Sequence, residues 1–221
     1  MTITPKELYN QINDITSDLI GCAISSTQNF PSINKKEKHI IEINPSVNST
    51  YNSIFLKSLS YTEIYEKLNK DKNYNIKTID GALITLQYRF FKNELLAHRL
   101  AFFPNPDLDS FQQDPDTYLE DEIFADIINR RVVAIPLRFD FDKGPTAKPI
   151  IHPRSHLTLG QYPDCRIPVS SPLTPYQFIS FIVNNFYNCS KLNIKIRNNN
   201  KYFDDSLFRE EMNITRIIIG R

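Results

Sequence analysis

Glycine is scarce in this sequence, and the glycine-rich loops that hold phosphate groups do not occur. The chain has 5 glycines against 14 prolines in 221 residues. Neither G-x-x-x-x-G-K-[ST] nor G-x-G-x-x-G is found, although both motifs need glycine where the backbone approaches a phosphate. We therefore expect no nucleotide bound through either motif, and the sequence predicts no cofactor.

Cysteine and long apolar runs are also in short supply. The three cysteines, Cys22, Cys165 and Cys189, are odd in number, far apart and without a C-x-x-C pair. This usage is typical of reduced thiols in a cytosolic protein. The N-terminus lacks the basic start and unbroken apolar run of a secretory signal. No apolar stretch reaches the ~20 residues of a membrane-spanning helix. We expect a cytoplasmic protein that does not contact a membrane.

Charge of neither sign dominates the chain. The net charge is +1, with 41% hydrophobic and 23% charged residues. Such a composition is ordinary for a globular protein, and the length allows one sizeable core. Because a near-neutral surface does not attract nucleic acid as a whole, any basic binding site must be local.

Hydrophobic periodicity predicts an α+β protein with a central antiparallel sheet, curved or partly barrel-like, and covering helices. Helices are predicted at 5–20, 58–70, 117–130 and 174–187, and strands at 38–43, 80–91, 94–103, 131–141 and 150–160, with short elements in the tail after 190. The polar segment 70–75 suggests a boundary. We expect an N-terminal helical region, 1–75, packed on the core, and an antiparallel-sheet core domain with C-terminal helices, 76–221.

Polar side chains collect on one face of this sheet, because successive side chains of a strand point to opposite faces. If the strands pair in order, that face carries Arg89, Arg138, Asp140, Asp142, His152, Arg154 and His156. Either His98 or Arg99 could join it, since both have apolar neighbours. Pro153 cannot donate a ladder hydrogen bond, so the last strand is an edge or is bulged there. His156 is therefore the safer member of the histidine pair.

Histidine, arginine and aspartate on one face suit metal-independent RNA cleavage. Histidine exchanges protons near neutral pH, arginine grips phosphate, and an aspartate fixes a histidine tautomer. The candidate catalytic residues are His152, His156, Arg154 and Asp140, and the candidate binding residues are Arg89, Arg138, Asp142 and Arg166. Two further interpretations stay open: a binding surface without catalysis, and an ordinary solvated face held by cross-strand acid–base pairs.

Other chemistries have less support in the spacing of these residues. His152, His156, Asp140 and Cys165 could reach one ion, but no H-E-x-x-H or paired-cysteine spacing accompanies them. Ser155 lies between the histidines without a G-x-S-x-G elbow around it. We therefore predict no metal site and no serine nucleophile.

Arg166, in the segment "CRIPV", follows the histidine strand directly. We predict that its side chain turns back toward Asp140 or Asp142 and pins the loop.

The ordered segments "LRFDFD", "HPRSHLTLG", "CRIPV" and "SPLTPYQFISFIVNNFY" resemble an uncharacterised bacterial domain family of unknown function. In that family an aspartate-bearing strand precedes H-P-x-S-H-x-x-L-G, an R-[IL]-P element and a helix that ends in N-F-Y. The likeness covers about residues 80–190. Members occur in mobile gene clusters of the defence or toxin–antitoxin type, so the resemblance implies such a role. A fainter similarity links the chain to small toxin-like proteins with a histidine pair after an R-[YF]-D strand.

Two functions follow from these expectations. The chain could be an RNA-cleaving effector that uses the polar face, harmful when expressed alone. It could instead be a non-catalytic subunit that binds a neighbouring gene product or nucleic acid in a multi-protein complex. The helix at 174–187 bears on this choice because its apolar side chains wrap more than one face. Either the fold sandwiches this helix, or a partner covers one side.

Overall fold

The computed structural model describes residues 3–36, 39–45, 59–107, 135–162, 164–187 and 200–220. The predicted helix at 117–130, the first part of the predicted strand at 131–141 and the start of the tail lie outside the described residues. The secondary structure and contacts below refer to the described ranges alone.

Three α-helices are present in these ranges, and each begins where its sequence supplies a cap. They are α1 (Pro5–Gly21), α2 (Tyr61–Lys70) and α3 (Pro175–Phe186), with a 3₁₀ turn at Arg209–Asn213. The side chains of Thr4, Ser60 and Thr174 accept the N–H three residues on, and a Glu or Gln at that position reaches back to the cap backbone. None of these helices is long and apolar enough to cross a membrane.

The described strands form one antiparallel sheet that is not closed into a barrel. The strands are β1 (Ser25–Gln28), β2 (Ser32–Lys35), β3 (Ile40–Asn44), β4 (Ile76–Thr78), β5 (Leu83–Phe91), β6 (Glu94–Phe103), β7 (Leu137–Asp142), β8 (Ser155–Leu159) and β9 (Ile167–Pro168). The order is β1-β4-β5-β6-β7-β8-β9, with β3 beside β4 on the same edge of β5 and β2 paired to β3. The predicted fold class is confirmed, and the sheet takes strands from both sides of residue 75.

One face of the sheet, here called the core face, is covered by α1 and α3. Leu8, Ile12, Ile15 and Leu19 of α1 are fully buried, as their helical spacing predicts. From β7, Phe139 meets Phe178 and Phe181 of α3 edge-on, with ring centroids 6.0 and 5.5 Å apart. Helix α1 also lies against α3. The two helices therefore pack side by side on the core face and against each other.

The opposite face, here called the polar face, is covered at one end by α2. Ile64 and Leu68 of α2 pack in a second apolar cluster with Leu83, Ala101 and Phe103. These three strand residues stand at one end of β5 and β6. Toward the middle of the same face the side chains become polar, and this change of chemistry defines the candidate site.

Candidate functional site

A single cross-strand row carries the polar side chains of the site. The register aligns Gln87 of β5 with Arg99, Arg99 with Asp140, and Asp140 with His156 of β8. Residues opposite one another in adjacent strands point to the same face. The alternation in sequence thus becomes a row of neighbouring side chains on one face, and Arg99 rather than His98 belongs to it.

Asp140 is the centre of the row and is almost completely buried. The Nε–H of Arg99 donates to its Oδ1 over 2.9 Å, and the Nε–H of Arg138 donates to its Oδ2 over 2.5 Å. Burial by itself raises the pKa of Asp140, but the two guanidinium groups outweigh burial and hold its pKa well below the usual range. Asp140 is therefore an ionised, doubly paired carboxylate.

His156 is buried beside this ion-pair cluster. Its Nδ1 lies 2.9 Å from the carbonyl oxygen of Pro153, and because a carbonyl can only accept, Nδ1 carries the proton. Nε2 then points toward Oδ2 of Asp140, 3.8 Å away. Burial lowers the pKa of His156, and the opposing attraction of Asp140 does not restore it. His156 is therefore a neutral imidazole with a fixed tautomer.

His152 lies against His156. The two ring centroids are 5.2 Å apart and the rings are tilted by 57°. His152 is half-buried and precedes the strand, because β8 begins only at Ser155, after Pro153. The two imidazoles are therefore in direct contact.

Arg154 does not join the row, contrary to the expectation that it shares a face with Asp140. Its guanidinium lies over the ring of Phe208, 4.5 Å from the centroid, and lines a separate cavity with Phe141. Phe141 belongs to the core face. The period-2 count fails here because Arg154 lies before the first residue of β8.

The prediction for Arg166 is wrong. Its Nη1 donates to the carbonyl oxygen of Ile151 over 3.3 Å, so it contacts neither Asp140 nor Asp142. Asp142 instead accepts the N–H of Gly144 over 2.8 Å in a tight turn. Arg166 does pin the loop before β8, but through a backbone carbonyl.

Arg89 lies one row from the site. It is aligned with Glu42 of β3 and with Ala97 of β6, and Ala97 is in turn aligned with Asp142. Arg89 and Asp142 therefore share the polar face but are separated by an alanine.

His98 faces the core and has a structural role. Its Nε2 accepts the N–H of Leu173 over 3.1 Å, while the hydroxyl of Tyr88 donates to the carbonyl of the same residue over 3.0 Å. Burial lowers the pKa of His98 to about 3, so the ring is neutral at physiological pH. Together the two side chains fix the chain that leads into α3.

The polar face is not an ordinary solvated sheet surface. Gln87, Asp140, His156 and Thr158 are all at most 8% exposed. Ser155 is buried on the core face and donates to the carbonyl of Ser171 over 3.1 Å, which does not suit a nucleophile. Within the described ranges, no three His, Cys, Asp or Glu residues are grouped so that they could hold a metal ion.

The row is built for holding charge in place more than for transferring protons. Both oxygens of Asp140 are paired with arginines, and His156 is neutral and buried. Arg99 was not among the predicted site residues. Arg99 alternates with Ala97 and Ala101, which places all three on the same face of β6. Because β6 has apolar residues on both faces, the sequence does not show which face is the polar one.

Comparison with known proteins gives a family and no further likeness. A search of curated proteins and a search of solved structures each gave no match. A family model described as an uncharacterized conserved protein (DUF2290) matches residues 24–219, which include every strand of the sheet, the site row and α3. The chain therefore belongs to the uncharacterized conserved protein family DUF2290.

Proposed function

We propose that this chain is a non-catalytic, partner-binding subunit of a bacterial defence or toxin–antitoxin-type complex. The proposed contact is the loop 148–152, which would insert into an apolar pocket of a partner protein. The observation that supports this proposal is an exposed isoleucine pair on a restrained loop. The defence setting comes from the resemblance noted in the sequence.

The loop holds two large apolar side chains in water. Ile150 is 49% exposed and Ile151 is 70% exposed. Met212 is 58% exposed and follows Glu211, whose carboxylate accepts a hydrogen bond from the loop's Ile150. Exposed apolar groups that are close together are typical of surfaces that bind other proteins. A partner pocket that covers them would gain about 1.5–3 kcal/mol for each fully buried side chain.

Backbone contacts hold this loop in one conformation. Lys148 and His152 exchange two backbone hydrogen bonds of 2.9 Å. The N–H of Ile150 donates to the buried carboxylate of Glu211 over 3.2 Å, and Arg166 holds the carbonyl of Ile151. A loop that is already ordered loses little entropy on binding, which favours affinity.

Ile150 itself has a strained backbone. Its φ is +66°, in the left-handed region that β-branched residues rarely adopt. Such a conformation costs of order 1–3 kcal/mol. Asparagine or glycine would fit this position with less strain, so folding alone does not account for an isoleucine here.

The experiment is co-purification with the product of a neighbouring gene. Ile151→Asp should abolish capture of the partner, because a carboxylate cannot enter an apolar pocket without a large desolvation cost. The matched control is Ile33→Asp on β2, at the opposite side of the sheet, where the isoleucine is 40% exposed. Partner capture by Ile151→Asp at the wild-type level would overturn the proposal.

RNA cleavage is the second candidate, supported by the contact between His152 and His156 beside Arg138. For this function, His152, the more exposed of the pair, would have to act on the 2′-hydroxyl. The test is RNA integrity in cells that express the chain alone. RNA loss with the wild type, removed by His152→Ala, would favour the effector over the subunit.

A further inference from the structure

A cavity of about 260 Å³ opens beside Arg154, away from the ion-pair row. Its apolar lining comes from Leu95, Phe141, Pro172 and Phe203, all of them buried. The volume lies just below the ~300–1,000 Å³ of pockets for drug-sized ligands. The cavity thus suits a smaller molecule with an apolar body.

One unpaired cation lies at the mouth of this cavity. The Arg154 guanidinium is held over the Phe208 ring at 4.5 Å, and no described carboxylate lies within ion-pair distance of it. Stacking on a ring fixes the plane of a guanidinium but leaves its edge able to donate. Such an edge binds a carboxylate or phosphate through two parallel hydrogen bonds.

The other charges of the lining differ in their availability. The ammonium of Lys143 is paired with the carboxylate of Glu94, so this cation is already neutralised. Asp204 lines the same cavity, is exposed and has no ion pair among the described residues. Asp205 also lines the cavity but already has an interaction of its own, so Arg154 and Asp204 remain as one positive and one negative group around an apolar floor.

We propose that this cavity binds a free apolar α-amino acid. Its carboxylate would bind Arg154, its ammonium group would bind Asp204, and its side chain would lie against Phe141 and Phe203. A simple anion would be repelled by Asp204, and a simple cation by Arg154. A zwitterion with an apolar side chain satisfies both charges and the floor together.

The test is calorimetric titration of the full chain with L-phenylalanine and L-leucine. Phenethylamine lacks the carboxylate, and 3-phenylpropionate lacks the ammonium group, so each should bind at least about tenfold more weakly than L-phenylalanine. Arg154→Gln and Asp204→Asn should each weaken L-phenylalanine binding by a similar factor. Both residues are exposed, and thermal unfolding would verify that the variants fold.

Three results would overturn this proposal. The first is that neither L-phenylalanine nor L-leucine binds the wild-type chain. The second is that Arg154→Gln binds L-phenylalanine as tightly as the wild type does. The third is that a nucleoside monophosphate binds more tightly than L-phenylalanine. The Ile151→Asp variant should bind the amino acid as the wild type does. Failure of the amino-acid site is thereby distinguished from failure of the proposed partner contact.

Discussion

Asp140 joins the charges of two neighbouring strands, β6 and β7, and its removal should damage the fold. Asp140→Asn leaves Arg99 and Arg138 beside a neutral amide in a buried position. Breaking a buried ion pair from one side costs about 3–5 kcal/mol, so the free energy of unfolding should fall by that order in urea denaturation. Asp142→Asn, at the half-buried end of β7, is the control; its amide oxygen can still accept the Gly144 N–H, so it should cost less than about 1 kcal/mol. Equal losses in both variants would contradict a structural role for the Asp140 cluster.

At the residue scale, the sequence predicted that Asp140 and His156 share one sheet face, and the register aligns them because both lie inside regular strands. It misplaced Arg154 and Arg166, which lie outside such strands, where alternation no longer fixes the direction of a side chain. The sequence could not decide whether Arg99 or His98 points to the polar face, because the residues two positions away are apolar in both cases. The register of β6 with its neighbouring strands decides that Arg99 points to the polar face. This register depends on the assembled sheet and cannot be derived from β6 alone.

The start of α3 offers a test at the scale of one element. Thr174 is buried, and its hydroxyl accepts the N–H of Gln177 while the Gln177 side chain binds the Thr174 backbone. Thr174→Ala should lower the free energy of unfolding by about 1 kcal/mol, since the cap is lost. Thr174→Ser keeps the hydroxyl and should retain most of the stability. An equal loss in both would indicate that the methyl group, not the cap, stabilises α3.

Long, strongly patterned elements were predictable, and short ones were not. Helices α1, α2 and α3 and the β5–β6 hairpin lie where periodicity and capping residues indicated. The strands β1, β2 and β4 have only three or four residues. In so short a segment, alternation cannot be told from chance, and partner strands rather than propensity decide the outcome. Proline limits β8 in the same way, because pairing resumes only after Pro153.

For the whole molecule, we expect stability to fall as the pH drops below neutral. His98 and His156 are neutral in the fold, with pKa values lowered by burial, so only the unfolded chain takes up protons as pH falls below about 6.5. For His98 the loss continues down to about pH 3, its folded pKa. The slope should be ~1.4 kcal/mol per pH unit for each such histidine.

Asp140 adds to this loss at lower pH. Its folded pKa is depressed, so its stabilising effect is complete above its unfolded value of 3.8 and is lost as pH falls below that value. Urea denaturation across pH 4 to 7 measures the contribution of the histidines. Each titrating histidine should change the free energy of unfolding by ~1.4 kcal/mol per pH unit. His98→Gln can still accept the Leu173 N–H but cannot titrate, so its slope should be smaller. An unchanged slope in His98→Gln would contradict a buried neutral His98.

The most direct test of the proposed partner contact is the affinity of the chain for the product of a neighbouring gene, the proposed partner. We expect Ile151→Asp to raise the dissociation constant at least about tenfold, which corresponds to ~1.4 kcal/mol, and His152→Ala to leave it within about twofold. The first variant changes the exposed apolar contact, and the second changes the imidazole proposed for catalysis. The contrary result is an unchanged affinity in Ile151→Asp together with loss of RNA cleavage in cells that express His152→Ala. That result would contradict the proposed partner contact and favour catalysis by the histidine pair.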